Sequence, residues 1–100
     1  MKMYILVKKS IPRGIGVNAV GHAVLGTYLK YKDHPDTIDW LENSYRKVTC
    51  LVSDEEFERA KETEDCVVFT ENDYNNEEVA LGFRPRKEWP KMFEFLRLYK

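Results

Sequence analysis

The sequence predicts a single α/β domain in which a mixed four-stranded sheet carries helices on both faces. Two observations favour this fold class: short apolar runs of strand type recur along the chain, and segments with helical spacing of apolar residues separate them. The length of 100 residues, 43% of them hydrophobic, suits one domain, residues 1–100, with its own core. Charges of both signs are interspersed, which argues against disorder.

Four segments have the character of strands. Each is a short, mainly apolar run that ends at polar, glycine or proline residues, as strands buried on both faces usually do. The four are residues 3–7, 47–52, 66–70 and 79–83. The polar stretch 71–76 predicts a turn-rich connection between the last two strands.

The first predicted helix, residues 17–31, combines apolar side chains at helical spacing with a stripe of small residues. The stripe consists of Ala19, Ala23 and Gly26, and it predicts close packing of the helix. Gly14 and Gly16 precede the helix in a predicted loop. The last predicted helix, residues 88–98, tolerates Pro90 in its first turn. Its apolar stripe is Trp89, Met92, Phe93 and Leu96.

Two shorter helices lie between these. Pro35 stands at the start of one, with Ile38 and Leu41 predicted to face inward. Ser53, followed three residues later by Glu56, has the spacing of a capping box that opens the other.

Several features predict a cytoplasmic protein without a membrane partner. No segment approaches the roughly 20 apolar residues of a membrane span, and the Met-Lys-Met start leads into a strand instead of a signal peptide. Cys50 and Cys66 lie in strand-like runs, which favours two buried thiols over a disulfide or a metal site. We expect no cofactor.

Charge is distributed unevenly along the chain. Residues 1–32 contain six basic residues and no acid, whereas residues 54–78 contain eleven acids against two basic residues. One interpretation is a basic face suited to a phosphate backbone, with an acidic face turned away from it. The other is an ordinary solvated surface of mixed charge.

The chain resembles the type 2 peptidyl-tRNA hydrolases, and motifs near its start and at its end carry the resemblance. The first strand followed by residues 8–11, Lys-Lys-Ser-Ile, and the glycine-containing segment leading to His22 and Ala23 are similar to the start of that family. Residues 79–85, Val-Ala-Leu-Gly-Phe-Arg-Pro, followed by the predicted helix to the C-terminus, resemble its terminal strand, Gly-x-x-Pro turn and last helix. The resemblance covers nearly the whole chain and implies the family's fold, with tRNA as a partner. The oligomeric state is open, and a homodimer is one alternative.

Helix 1 departs from the family pattern. There it carries a Lys, a Gln four residues later and a His three residues beyond. Counting back from His22 puts Ala19 at the Gln position and Ile15 at the Lys position, and alignment on the glycines puts Val17 there instead. No lysine stands there on either alignment. The helix also resembles that of an uncharacterised branch of the superfamily. That branch has a Leu-Asn-x-x-Ala pattern at the place where this chain has residues 16–19.

The family's acid after the third strand corresponds to Glu71, with Asp73 nearby, and the threonine that follows has no clear counterpart. Hydrolysis of the peptidyl-tRNA ester needs an activated water, stabilisation of the oxyanion and a basic surface. The resemblance implies that His22 orients or deprotonates the water, while Glu71 or Asp73 fixes the imidazole.

Substrate contacts are assigned to three residues near helix 1. Lys9 and Arg13 are candidates for phosphate, and Arg13 is the nearest cation in sequence to replace the missing lysine. Asn18, one turn before His22, either polarises a substrate carbonyl or caps the helix. Free amides near residues 16–18 are an alternative anion site.

Two functions remain open. The chain is either a diverged hydrolase of peptidyl-tRNA or a related ester, or a noncatalytic module that binds RNA or a protein partner. His22 is either a site residue or a packed histidine. The missing lysine favours the binding module, whereas His22 and the acids after strand 3 favour the hydrolase.

Overall fold

The computed structural model describes all 100 residues and shows an α/β fold with three α-helices and a five-stranded mixed sheet. The strands are β1 (Lys2–Lys8), β2 (Arg46–Val52), β3 (Cys66–Glu71), β4 (Glu77–Phe83) and β5 (Arg97–Leu98). The helices are α1 (Arg13–Tyr31), α2 (Pro35–Asp39) and α3 (Asp54–Ala60). The predicted α/β fold with a mixed sheet is confirmed, whereas the predicted number of strands, four, was one too few.

The strand order is β3-β4-β1-β2-β5. β1 is parallel to β2 and antiparallel to β4, which is in turn antiparallel to β3. β1, β2 and β3 therefore run in the same direction. Their last residues, Lys8, Val52 and Glu71, lie at one edge of the sheet, which we call the carboxyl edge.

Both faces of the sheet are buried. Successive residues of β1 point to opposite faces, so that Met3, Ile5 and Val7 pack under α1, while Tyr4 and Leu6 pack on the other face. The second face is covered by α3 and by the segment before β5. Its core is rich in aromatic rings, and Phe83 and Phe93 meet edge to face with centroids 5.2 Å apart. Burial on both sides explains the continuous apolar run of β1.

α1 lies close to the sheet because its inner face has small side chains. Its buried residues are Gly16, Ala19, Ala23 and Thr27. Opposite them, a Cβ at Gly82 of β4 would collide with the Thr27 hydroxyl and stand 3.2 Å from the Ala23 carbonyl oxygen. The predicted small-residue stripe is confirmed for Ala19 and Ala23, while Gly26 packs against Phe69 of β3.

α1 begins earlier than the sequence predicted. It starts at Arg13, after Pro12, so that Gly14 and Gly16 are helical and not in a loop. A glycine in a helix costs about 1 kcal/mol relative to alanine, which is why the pattern predicted a later start. At Gly16 close packing requires it, because a Cβ would stand 2.9 Å from the Tyr99 hydroxyl.

The predicted C-terminal helix is not formed. Residues Lys91–Phe95 make a 3₁₀ turn, and Arg97–Leu98 form β5 against β2. Pro90 supplies no backbone N–H, and Leu96 is extended, with φ −76° and ψ 143°. Phe93 is buried, and Trp89, Met92 and Leu96 pack against the same cluster, so that their predicted core role is confirmed.

The connection between α1 and β2 has two helical parts. α2 begins at Pro35 as predicted, and His34 caps it by accepting a hydrogen bond at Nδ1 from the Asp36 amide, 3.0 Å away. A π-helical segment, Trp40–Ser44, follows directly. The prediction that Ile38 and Leu41 face inward was wrong: both are exposed.

The buried side chains of this connection are Thr37 and Trp40. The capping box that opens α3 is confirmed, because Ser53 and Glu56 each accept a hydrogen bond from the other's amide.

Arg84 fastens this connection to the sheet. Its side chain is 10% exposed, and the guanidinium donates to Asp65 Oδ2 at 2.7 Å and to Asp36 Oδ2 at 2.8 Å. Burial opposes the charged form, but the two carboxylates outweigh it and raise the pKa of Arg84. A buried charge is tolerated only when it is paired in this way, so Arg84 holds α2 in place.

The contact between α1 and β4 predicts a large effect of one methyl group. Gly82→Ala should lower the free energy of unfolding by about 1–3 kcal/mol, because Thr27 and the Ala23 carbonyl leave no room for it. Gly21→Ala is the matched control, since a Cβ there meets nothing within 4 Å, and it should stabilise the helix by about 1 kcal/mol. Urea unfolding of both variants checks this, and equal effects would contradict it.

Candidate functional site

One histidine and one carboxylate meet beside α1 near the carboxyl edge. His22 lies in the middle of α1, and Glu71 is the last residue of β3, the edge strand next to β4. Their side chains approach to 3.4 Å between His22 Nδ1 and Glu71 Oε2. The structure therefore brings together the predicted histidine and one of its two predicted acids.

The two side chains differ in solvent exposure. The His22 imidazole is 65% exposed, whereas the Glu71 carboxylate side chain is 12% exposed. The interpretation of His22 as a packed histidine is thus wrong. The 3.4 Å separation is slightly longer than a typical hydrogen bond, as is common in catalytic pairs before substrate binds. A carboxylate facing Nδ1 favours a proton on that nitrogen, which leaves Nε2 free to accept one.

Asp73 is not brought to His22. It lies in a short 3₁₀ turn, Asn72–Tyr74, where it is exposed and makes no ion pair. Of the two predicted acids, only Glu71 has a contact with the imidazole.

Asn18 shares the exposed face of α1 with His22. It stands four residues before His22, which places the two side chains one above the other on the helix, and it is exposed. The alternative that Asn18 caps the helix was wrong, because the N-cap is Pro12. Its carboxamide is free to contact a molecule bound beside the imidazole.

Arg13 is distant from His22. Nine residues separate them, which corresponds to about 13 Å along the helix axis. The Arg13 guanidinium donates to the Lys100 carbonyl oxygen at 2.7 Å and lies 5.4 Å from the Tyr99 ring centroid. No residue between Arg13 and His22 is charged, so α1 supplies no cation beside the imidazole.

The amides of residues 16–18 are not an open anion site. Because α1 begins at Arg13, these residues lie inside the helix, and the Gly16 amide donates to the Pro12 carbonyl oxygen at 3.0 Å.

The basic and acidic blocks meet at the carboxyl edge. Lys9 is exposed there after β1, and its amide donates to the Val52 carbonyl oxygen. α3 starts at the same edge with three acids, and the Ser10 hydroxyl lies 3.3 Å from Asp54 Oδ1. At this edge the interpretation of opposed basic and acidic faces was wrong, and the mixed surface is found.

The remaining side chains provide neither a metal-binding cluster nor an activated thiol. No cluster of three histidine, cysteine or acidic residues could hold a metal ion. No helix is both long enough and apolar enough to cross a bilayer. Both cysteines are free thiols; Cys50 is buried, as predicted, whereas Cys66 is only half-buried. Burial raises the pKa of each thiol to about 11, so that neither is an activated nucleophile.

No protein-family model matches the chain, and no curated protein matches it significantly. The resemblance to the type 2 peptidyl-tRNA hydrolases therefore rests on the residues of the chain alone.

An apolar groove on the other side of α1 was not predicted. It is lined by nine residues of α1, the π-helical segment and the start of β2, and has a volume of about 510 Å³. The sequence predicted that Leu41, one of its lining residues, faces inward, whereas Leu41 is 43% exposed.

The raised pKa values of the two thiols predict slow alkylation. Raising a thiol pKa from 9.0 to about 11 lowers the thiolate fraction at pH 8 by about a hundredfold. Iodoacetamide should therefore alkylate both cysteines at least about a hundred times more slowly in the native protein than in guanidinium, and Cys50 more slowly still because it is 1% exposed. Peptide mass spectrometry resolves the two sites, and a cysteine that reacts equally fast in both states would contradict the assignment.

Proposed function

We propose that the chain is a diverged member of the type 2 peptidyl-tRNA hydrolase superfamily that hydrolyses the ester of peptidyl-tRNA or a related substrate. The observation that carries the proposal is the 3.4 Å contact between His22 Nδ1 and Glu71 Oε2, with the imidazole exposed and the carboxylate largely buried. The order of strands and helices up to β4 agrees with it, whereas a 3₁₀ turn and β5 stand where the resemblance implied a last helix.

The proposed chemistry uses His22 as a general base. Nε2 takes a proton from a water molecule whose oxygen attacks the ester carbonyl, and a tetrahedral oxyanion forms. The bond to the ribose oxygen then breaks, and the imidazolium returns the proton to that oxygen. Glu71 stabilises the imidazolium and holds the ring in the tautomer that accepts at Nε2.

Asn18 is the neutral group available for the oxyanion. Its side-chain amide can donate one hydrogen bond from the helix face that carries His22. A neutral donor stabilises an oxyanion less than a lysine does, since hydrogen bonds that involve ions are roughly twice as strong. We therefore expect slow turnover, because the loss of one oxyanion contact typically costs about 10²–10³ in rate.

The second candidate is a noncatalytic module that binds RNA or a protein. One observation favours it: Arg13 is bound to the Lys100 carbonyl and no other cation of α1 precedes His22. An assay of the wild-type protein distinguishes the two functions, because a noncatalytic module binds peptidyl-tRNA without hydrolysing its ester.

The His22–Glu71 pair predicts a graded loss of hydrolysis. His22→Ala should lower the rate of ester release from an N-acetyl-aminoacyl-tRNA by about 10²–10⁴, and Glu71→Gln by about tenfold or more because the imidazole loses its charged partner. Asp73→Asn is the matched control, since Asp73 has no contact with His22, and it should leave the rate unchanged.

His22→Ala and Asp73→Asn should keep the wild-type thermal midpoint within a few degrees, because both side chains are exposed. Glu71→Gln should keep it as well, because glutamine has the same shape as the largely buried glutamate that it replaces. No release by the wild-type protein above the uncatalysed rate would refute the hydrolase. Equal losses for Glu71→Gln and Asp73→Asn would refute the role of Glu71.

Binding of tRNA is predicted to depend only weakly on salt. Lys9 and Arg13 are the candidate phosphate contacts, and two contacts give a slope of about −2 for the logarithm of affinity against that of salt concentration. Lys9→Glu should reduce the slope by about one. Lys87→Glu, at the other end of β1 about 20 Å away, should have a smaller effect. Filter binding at several salt concentrations measures this, and identical results for both variants would contradict it.

A further inference from the structure

The apolar groove lies on the opposite flank of α1 from the His22–Glu71 pair. Glu71 belongs to β3, whereas the far wall of the groove belongs to the π-helical segment and β2, on the other side of β1 in the sheet. Seven of its nine lining residues are hydrophobic. Its volume of about 510 Å³ falls within the range of about 300–1,000 Å³ that small-molecule sites occupy.

The far wall of the groove is held in place. Trp40 is 3% exposed, and its indole N–H donates to the Arg46 carbonyl oxygen at 2.6 Å. Tyr45 packs its ring against Trp40 with centroids 5.4 Å apart. Tyr45 has a φ of 58°, a left-handed conformation that is unusual for a bulky residue. Two uncommon backbone features, this one and the π-helical segment, thus shape one wall.

A single cation completes the lining. Lys47 is opposite Met3 in the register of β2 and β1, and Met3 packs under α1, so Lys47 emerges on the same face of the sheet. It forms no ion pair, although the lysines and arginines at 32, 61 and 84 do. The hydroxyls of Tyr28 and Tyr45, which also line the groove, make no hydrogen bond with the chain. An apolar groove with one unpaired ammonium is complementary to an apolar ligand that carries one negative charge.

We propose that this groove binds a medium-chain monocarboxylate. The hydrocarbon tail lies between Val24 and Leu25 of α1 and the Trp40 ring, and the carboxylate pairs with the Lys47 ammonium. The tail covers apolar side chains that are otherwise solvated, since Leu25 is 59% exposed and Leu41 43%. The site does not depend on the proposed hydrolase, because α1 separates it from His22.

Decanoate is the probe, and titration calorimetry with the full chain measures its affinity. Gly21→Leu should weaken binding about tenfold or more, because the new side chain enters the groove that Gly21 lines while a Cβ there meets nothing within 4 Å. Gly14→Leu is the matched control: Gly14 is also exposed on α1 with open space around it, but it does not line the groove. This variant should bind decanoate as the wild type does.

The role of the Lys47 ammonium is tested separately. Lys47→Gln should weaken decanoate binding about tenfold and leave decanol binding unchanged, because only the acid uses the ammonium. The proposal is overturned by no decanoate binding by the wild type, by equal loss in the two glycine variants, or by wild-type affinities that are equal for decanoate and decanol. A wild-type dimer that Gly21→Leu dissociates would also overturn it, since the groove would then hold a second copy of the chain.

Discussion

The close approach of α1 to β4 is the contact on which the rest of the molecule depends. With only Gly16, Ala19, Ala23 and Thr27 on its inner face, α1 sits directly on the backbone of the sheet at Gly82. A larger side chain at this contact would lift the helix away from β4 and separate residues on its flanks from their partners on the sheet. The distance between helix and sheet thereby sets the distance between His22 and the end of β3.

The two flanks of α1 have different chemistry because the sheet extends beyond the helix on both sides. Toward β3, polar groups face each other, and His22 meets Glu71. Toward β2, α1 faces a wall of aromatic rings that Arg84 anchors through Asp36. A helix that contributes one side to a polar pair and the other to an apolar groove can serve two kinds of ligand without either occupying the space of the other.

Local signals in the sequence predicted most of the elements. The strands β1 to β4, the proline start of α2 and the Ser53–Glu56 capping box all follow from short-range patterns, and each is formed. The C-terminal segment was mispredicted because its apolar spacing fits a helix, while the open edge of β2 offers hydrogen-bond partners that only the folded sheet provides. His22 and Glu71 were both named from the sequence. The sequence could not predict which of the two acids reaches the imidazole, because this depends on where β3 ends relative to α1.

β3 is an edge strand, paired on one side only, and its register shifts between Phe69 and Thr70, just before Glu71. Edge strands and their ends open locally at a lower free energy than the centre of a sheet. The carboxylate that contacts the imidazole is therefore attached to the end of an edge strand, whereas the imidazole is carried by a helix packed over the sheet. Fraying of a few terminal hydrogen bonds would separate the pair while the fold stayed intact, so the fraction of molecules with an ordered pair is governed by local opening and not by global stability.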